Sequence, residues 1–376
     1  MATISALKRA LRQQVDDTTS PTKALSDAQY SDGFDLLVQG AEWKAYQDFA
    51  IHQLSLLLGP LFNSRNQISV LEIGPGPKSV LGYLSSHLKR KISKYTAFEP
   101  NLLFAARLEE WLDSASETGS SLPCLKSTTV HRKPFTLNSD TVAMEDADQK
   151  FHVILFCHNM YGMKSNQQYI EHALEFLVEQ PEDGLVVVFH HDDPLYLDGL
   201  VCHRSVSFPG GVTRIADDDQ VLDRFAPFIA GFLMRDEHEH SVVQTEWRIA
   251  CRALARHDEA YPNYLGFSSP GTMLAFTRHA TKLPELTAQV PLVEDHKVKN
   301  REARLHHPAA VVKPTTTLHV QQCVRWALKD GVGLTIVGGG HSGHCRWPNV
   351  VSVDMGALTK YTFWMPRMEM KALFVW

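Results

Sequence analysis

Two glycines and one acid carry the clearest chemical potential in the sequence. Gly74 and Gly76 flank Pro75 after a short apolar run, and Glu99 stands at the end of the next apolar run. Because glycine has no Cβ, a segment with two glycines can turn sharply and bring its backbone close to a ligand. A carboxylate on the neighbouring strand can accept hydrogen bonds from both hydroxyls of a ribose. Together the three residues predict a site for a nucleotide-derived cofactor.

The elements that must position these residues are two strands, each followed by a helix. Residues 68–73 are apolar and partly β-branched, and apolar residues recur at helical spacing over residues 80–88. A second strand is predicted at residues 95–99, ended by Pro100, with a helix over residues 102–112. The carboxyl ends of parallel strands meet where the connections of a sheet reverse, so the turn and Glu99 are expected to lie together.

The same alternation continues along the chain and predicts a doubly wound, mostly parallel α/β sheet. Residues 151–157 and 185–189 are continuous apolar runs, typical of strands that are buried on both faces. The remaining predicted elements are a short strand at 126–130, helices at 169–178 and 218–233, and strands near 241–248 and 272–277.

The chain is long enough for more than one domain. Apolar residues at three- and four-residue spacing between Tyr30 and Phe62 predict two amphipathic helices ahead of the sheet, whereas residues 282–304 are polar and charged. After them, a strand, a helix, a second strand and a glycine-rich turn follow one another. We therefore expect an N-terminal helical cap at 1–62, the main α/β domain at 63–281, a linker at 282–305 and a small α+β domain at 306–376.

Composition excludes several classes of function. A formal net charge of −5 gives no excess of positive charge with which to bind nucleic acid, so a small molecule is the expected partner. The six cysteines contain no C-x-x-C pair, and no metal is expected at His190-His191-Asp192-Asp193 because consecutive strand side chains point to opposite faces. Residues 236–240 are interpreted as a solvated polar run. Without a signal segment or a membrane span, the protein is expected in the cytoplasm, and its oligomeric state is left open.

The motif Leu71-Glu-Ile-Gly-Pro-Gly76, with Glu99-Pro100 after it, resembles the first two motifs of class I methyltransferases that use S-adenosylmethionine. A dinucleotide-binding turn would have a third glycine where this chain has Ser79, which disfavours NAD. The resemblance implies a Rossmann-like methyltransferase sheet with S-adenosylmethionine as the cofactor. The cofactor-binding residues that it implies are Glu72, Gly74, Gly76, Glu99 and Asn159.

Residues 30–190 are similar, more specifically, to methyltransferases of the histamine N-methyltransferase type. The likeness rests on residues 30–34, on Gly40-Ala-Glu42 and on residues 151–161. It implies that Glu42 contacts the amine side of the substrate and that His158 points toward the reacting centre, as a base or as a hydrogen-bond donor. The alternatives are an exposed helix acid for Glu42 and a satisfied strand-end histidine for His158.

Two departures from that family bear on the acceptor. The family has glutamine where this chain has His158, and asparagine before the last strand where this chain has Gly271. An amine is therefore only one of the acceptors that the sequence allows. The chemistry itself needs no nucleophile or metal, because the sulfonium already activates the methyl group and in-line placement supplies most of the catalysis.

The C-terminal segment has a second resemblance, carried by residues 308–314, Gly338-Gly-Gly-His-Ser342 and residues 351–355. They are similar to the first FAD-binding (PCMH-type) subdomain of flavin oxidases of the berberine-bridge and vanillyl-alcohol type. The resemblance implies a loop around the pyrophosphate and a flavin bond at His341. The rest of the FAD subdomain and the substrate domain do not follow before Trp376, so flavin is not expected to bind. The alternatives to a methyltransferase are a flavin oxidoreductase fusion fragment and a cofactor-binding protein without catalysis.

Overall fold

The computed structural model describes residues 2–16, 21–42, 46–114, 121–137, 149–163, 165–179, 184–191, 195, 197, 199–208, 211–293 and 298–358. The chain forms two compact units, Met1–Thr281 and Lys282–Trp376. In the described part of the chain, no helix is long and apolar enough to cross a bilayer. Each unit is described by itself.

Strands and helices are interspersed along the first unit. Its main strands are β1 (Ile68–Ile73), β2 (Ile92–Phe98), β3 (Ser127–His131), β4 (Val153–Cys157), β5 (Leu185–His191), β6 (Arg204–Phe208), β7 (Val212–Ala216), β8 (Tyr264–Ser268) and β9 (Gly271–Phe276). Thr22–Lys23 and Leu233–Met234 form a further two-stranded antiparallel sheet. Its main helices are α1 (Ile4–Asp16), α2 (Asp27–Gly40), α3 (His52–Asn63, preceded by a π-helical turn at Tyr46–Ile51), α4 (Leu102–Asp113), α5 (Asn166–Glu175), α6 (Asp219–Ala230) and α7 (Glu237–Leu254).

Seven of the described strands form the central sheet, in the order β3-β2-β1-β4-β5-β9-β6. β9 runs antiparallel to both of its neighbours, whereas β1 to β5 are mutually parallel. The chain moves outward from β1 through β2 to β3 and then returns to place β4 on the other side of β1. The connections therefore reverse between β1 and β4, which is where such sheets bind ligands. The doubly wound, Rossmann-like fold expected from the sequence is confirmed.

A second apolar cluster joins the first helix of the chain to the last helices of this unit. Leu7 and Leu11 of α1 are fully buried against α6 and α7, together with Trp247. The Trp247 indole Nε1–H donates to the Leu11 carbonyl at 2.9 Å. β7 and β8 pair antiparallel beside this cluster. The N-terminal helices are thus packed into the first unit and share its cores.

The prediction of a strand near residues 241–248 is wrong, because these residues lie inside α7. The Asp236 side chain accepts the Glu239 N–H at 2.9 Å and begins the helix there. Val243, Trp247 and Cys251 then recur at four-residue spacing on its buried face. The polar run at residues 236–240 is accordingly the N-cap and first turn of α7.

The helix predicted directly after the glycine turn is also different. The chain forms a 3₁₀ helix at Val80–Tyr83 and a four-residue helix at Ser86–Lys89 instead. Strands β6, β7 and β8 had no counterpart in the sequence prediction. These strands are short and only partly buried, so their apolar pattern is weak.

The second unit is a small sheet with helices. Its elements are α8 (Leu283–Thr287), β10 (Leu292–Val293), β11 (Ala310–Val312), α9 (Thr317–Asp330), β12 (Leu334–Val337) and β13 (Val351–Asp354). The strand order is β10-β11-β13-β12, with β11, β13 and β12 parallel. α9 ends at Gly331, which has a φ of +62°. The segment expected to be a linker contains α8 and β10, and Leu283, Leu286 and Val290 in it are buried.

We predict that Trp247→Phe destabilises the first unit by about 1–3 kcal/mol. The change removes the indole hydrogen bond to the Leu11 carbonyl and opens space in a fully buried site. Urea unfolding followed by circular dichroism measures the loss. Trp111→Phe is the control, because Trp111 is only half-buried. An equal loss in the two variants would contradict the role of the bond.

Candidate functional site

The Glu99 carboxylate lies directly against the glycine bend that follows β1. Its Oε2 accepts the Gly76 N–H at 2.9 Å, and its Oε1 accepts the Asn101 N–H at 2.9 Å. The side chain is nearly buried, at 4% exposure. Each carboxylate oxygen can accept a second hydrogen bond. The acid is therefore fixed in orientation and still has an acceptor position on each oxygen.

Glycine is required in the bend for two different reasons. Gly74 and Gly76 have φ values of +59° and +70°, in the region that residues with a Cβ rarely adopt. A Cβ on Gly74 would also lie 2.8 Å from Asn159 Nδ2, whereas a Cβ on Gly76 would meet only the Phe34 ring at 3.8 Å. The Asn159 amide donates to the Ile73 carbonyl and holds the end of β1 from the side of β4.

Glu72 lies on β1, two residues before Gly74, and supports the glycine bend. It is fully buried on β1, and the Tyr95 hydroxyl donates to its Oε2 at 2.7 Å. Burial raises the pKa of Glu72 to about 7, opposed by hydrogen bonds from Ser79, Tyr95 and the Val80 backbone. These contacts tie β1 to β2 and to the segment after the bend. Glu72 is thus a positioning residue for the bend in this structure.

The N-terminal end of α2 packs against the segment that follows Glu99. The Asp27 carboxylate accepts the Leu102 N–H at 2.9 Å, and the Asp27 carbonyl accepts the Asn101 amide at 3.1 Å. Asn101 caps α4 by accepting the N–H groups of the next turn. Burial and the charge of Glu99 raise the pKa of Tyr30 on α2. Asp27 and Asn101 were not among the predicted site residues, although an asparagine directly before a helix is a common N-cap.

Two stacked imidazole rings lie at the ends of β4 and β5. The rings of His158 and His191 have centroids 4.0 Å apart and planes within 8° of parallel. His158 has a φ of +57°, and its Nε2 lies 3.3 Å from the Tyr46 hydroxyl. Burial lowers the pKa of His158 well below its ordinary value, and it lowers the pKa of His191 to about 4. Both rings are therefore neutral at pH 7.

The predicted site residues fall into three places. The structure brings Gly74, Gly76, Glu99 and Asn159 together at the end of β1, with Glu72 beneath them and His158 adjacent on β4. Glu42 is exposed, and its Oε2 accepts the Val212 N–H at 3.3 Å. Within the described ranges, no hydrogen bond joins Glu42 to His158. Asp192 and Asp193 lie outside the described residues, which contain no group of three or more potential metal ligands.

His341 belongs to the second unit, where its loop is held by a neighbouring segment. The Gly340 carbonyl accepts the N–H groups of Lys299 and Asn300 at 2.8 and 2.9 Å. Gly340 has a φ of +73°, and a Cβ there would lie 3.2 Å from the Lys299 nitrogen. The His341 ring is exposed, with its Nε2 3.3 Å from Lys299 Nζ. One side of the glycine-rich loop is thus already covered by the chain itself.

No protein-family model and no curated protein matches the sequence. Solved structures do match. The plantazolicin methyltransferase BamL, in complex with a triazolic desmethylPZN analog and SAH, has 12% identity over 73% of this chain and 97% of its own, with a TM-score of 0.35. Magnesium protoporphyrin IX methyltransferase (ChlM) from Synechocystis PCC 6803, with bound SAM, has 12% identity over 54% and 90%, with a TM-score of 0.32. The [4+2]-cyclase SpnF has 12% identity over 60% and 80%, with a TM-score of 0.31. Likenesses of this size assign no reaction to the chain.

We predict that Gly74→Ala destabilises the first unit more than Gly76→Ala does. Both changes force a side chain into the left-handed region, at a cost of roughly 1–2 kcal/mol. Only the Gly74 variant also presses a Cβ against Asn159. Urea unfolding of the two variants beside the wild type gives the comparison. A loss in Gly76→Ala that equals or exceeds the loss in Gly74→Ala would show that Asn159 does not constrain the bend.

We predict that Glu72→Gln gains stability relative to the wild type as the pH rises from 5 to 8. An acid whose pKa is raised by folding stabilises the fold below its unfolded pKa, and that contribution is lost as the pH rises through about 7. The relative gain should reach roughly 1–3 kcal/mol. Urea unfolding at each pH measures it. The exposed control Glu110→Gln should follow the wild-type profile, and a flat difference for Glu72→Gln would refute the raised pKa.

Proposed function

We propose that this protein is a methyltransferase that uses S-adenosylmethionine to methylate a small molecule. The observation that carries the proposal is the Glu99 carboxylate, held against the glycine bend by the N–H groups of Gly76 and Asn101. The free acceptor positions on its two oxygens suit the paired hydroxyls of a ribose. The bend and the acid lie at the reversal between β1 and β4, where a nucleoside would bind in such a sheet.

The segment after the bend favours a nucleoside without phosphate groups. Dinucleotide sites place a pyrophosphate at the N-terminus of an α-helix, where free N–H groups converge. Here the bend leads into the 3₁₀ helix at Val80–Tyr83, and Ser79 Oγ already accepts the Leu81 N–H at 3.1 Å. Ser79 is fully buried, at the position where the dinucleotide motif has its third glycine. S-adenosylmethionine has an adenosyl group and no phosphate.

The end of β4 connects the cofactor region with the region of the acceptor. Asn159 supports the glycine bend, and the preceding residue, His158, turns to the other side and stacks on His191. S-adenosylmethionine supplies a methyl group that its sulfonium already activates. The work left to the protein is to align the acceptor with that methyl group and to exclude water, and we place the acceptor beside His158.

The proposal does not extend to a flavin. The loop around His341 is covered on one side by Lys299 and Asn300, and a Cβ at Gly340 would lie 3.2 Å from the Lys299 nitrogen. The location of Glu42 beside Val212 gives it no contact with His158 among the described residues. The resemblance to amine methyltransferases is therefore not enough to name an amine as the acceptor.

We predict that Glu99→Gln weakens the binding of S-adenosylhomocysteine by about 10- to 100-fold. The change removes the charge from hydrogen bonds to the ribose, each contributing roughly 1.5–3 kcal/mol. Isothermal titration of the full chain measures the dissociation constant. The control Glu110→Gln, which changes an exposed carboxylate on α4, should bind like the wild type. Equal binding by both variants, or binding of NAD in place of S-adenosylhomocysteine, would argue against the proposal.

A further inference from the structure

The stacked pair of His158 and His191 has a polar atom that nothing described in the structure uses. The Nδ1 atom of His158 is buried and has no hydrogen-bond partner among the described residues, whereas the His191 ring is hydrogen-bonded to the backbone of Ser269 and Pro270. Buried polar atoms without a partner are rare in folded proteins and are common where a ligand binds. The pair lies next to the end of β4, beside the region proposed for the methyl group. A polar group of the acceptor can supply the missing partner.

The groups packed around the pair come from several elements. Tyr46 lies against His158 from the π-helical turn, Phe189 from β5, and Phe208 of β6 lies edge-on to His191. Cys157 precedes His158 and lies 3.8 Å from the Tyr46 hydroxyl. Burial and the neighbouring His190 lower the pKa of His191, whereas the hydrogen bonds of its ring to the Pro270 and Ser269 backbone favour its charged form. Among the described residues, the charges acting on His158 are those of histidines alone.

This environment distinguishes among the possible acceptors. An ammonium group would find no carboxylate against the ring pair in the described ranges, and two imidazoles 4.0 Å apart resist an added positive charge. An alcohol or an ammonium must also lose a proton before or during methyl transfer. Histidines whose pKa values are lowered by burial are weak proton acceptors. A carboxylate needs no base, and it accepts hydrogen bonds from imidazole N–H groups.

We propose that the His158–His191 pair binds the carboxylate of the acceptor, so that the product is a methyl ester. This inference rests on the methyltransferase function proposed above. In the reaction, a lone pair of a carboxylate oxygen forms the new O–C bond while the C–S bond of the sulfonium breaks. The electron pair of the broken bond stays on sulfur. The methyl transfer itself moves no proton, and any proton that the ring pair takes up with the carboxylate returns to solvent when the neutral ester leaves. The two charges cancel, so the products are a neutral ester and a neutral thioether.

Anion binding and protonation of the pair are linked. A carboxylate within hydrogen-bond distance favours the charged form of an imidazole, and stacking allows only one of the two rings to take the proton. His191 is the ring that its backbone neighbours favour for this charge. Carboxylate binding should therefore take up a proton and become tighter as the pH falls, whereas amine binding should become weaker.

Three probes of the same shape test the inference: benzoate, benzyl alcohol and benzylamine. Each is titrated into the full chain with saturating S-adenosylhomocysteine, at pH 7.5, 6.5 and 5.5. We expect benzoate to bind most tightly and to gain at least about threefold in affinity from pH 7.5 to 5.5. Tighter binding of benzylamine or benzyl alcohol, no detectable benzoate binding, or benzoate affinity that does not change with pH overturns the inference.

Two variants locate the effect. His158→Asn keeps a residue that tolerates the left-handed conformation, and His191→Gln keeps the strand while removing the second ring. Each should reduce benzoate affinity at pH 5.5 by about tenfold or more and leave the binding of S-adenosylhomocysteine within about twofold. His52→Gln, on the exposed side of α3, is the matched control. Benzoate binding that is unchanged in both variants contradicts the inference. If the wild-type protein does not bind S-adenosylhomocysteine, the result contradicts the proposed function instead.

Discussion

The hydrogen bond from the Gly76 N–H to the Glu99 carboxylate joins the ends of two adjacent strands and sets the shape of the site. A buried carboxylate is costly unless donors replace the water that it loses. The N–H groups of Gly76 and Asn101 replace that water at Glu99. For both N–H groups to reach the carboxylate, the backbone around Gly76 and around Asn101 must turn toward it. The positive φ values at Gly74 and Gly76, the cap of α4 by Asn101 and the docking of Asp27 all follow from that requirement.

A second constraint operates on the other side of β1, at the end of β4. Asn159 fills the space that the missing Cβ of Gly74 leaves and bonds the Ile73 carbonyl. His158 takes a left-handed conformation that is uncommon for a residue with a Cβ, and such strain persists where the surrounding contacts enforce it. Here the enforcing contacts are the His191 ring and the Tyr46 hydroxyl. One dipeptide thus supports the glycine bend and contributes a ring to the imidazole pair.

The sequence predicts the parts of this arrangement that depend on neighbours in the chain. Apolar runs located β1, β4 and β5, and the paired glycines and Glu99 located the bend, because each signal lies within a few residues of its effect. The stacking of His158 on His191 could not be predicted, because it depends on the register between β4 and β5 and on a left-handed residue. The alternation expected at His190 and His191 is observed, since His190 lies against Tyr161 and His191 against His158. Residues 241–248 were predicted as a strand, whereas the Asp236 cap and the four-residue spacing of Val243 and Trp247 place them in a helix.

The two acids of the bend, Glu72 and Glu99, show how burial and hydrogen bonding divide their roles. Burial is the largest influence at both carboxyl groups and raises the pKa of each, to about 7 at Glu72, where hydrogen bonds from Ser79, Tyr95 and the Val80 backbone oppose it. Two backbone N–H groups act in the opposite direction at Glu99 and favour its charged form. Near neutral pH, Glu72 therefore carries a proton for part of the time. The two acids thus have different roles: Glu72 ties β1 to β2 through the Tyr95 hydroxyl, whereas Glu99 accepts the backbone N–H groups that shape the bend.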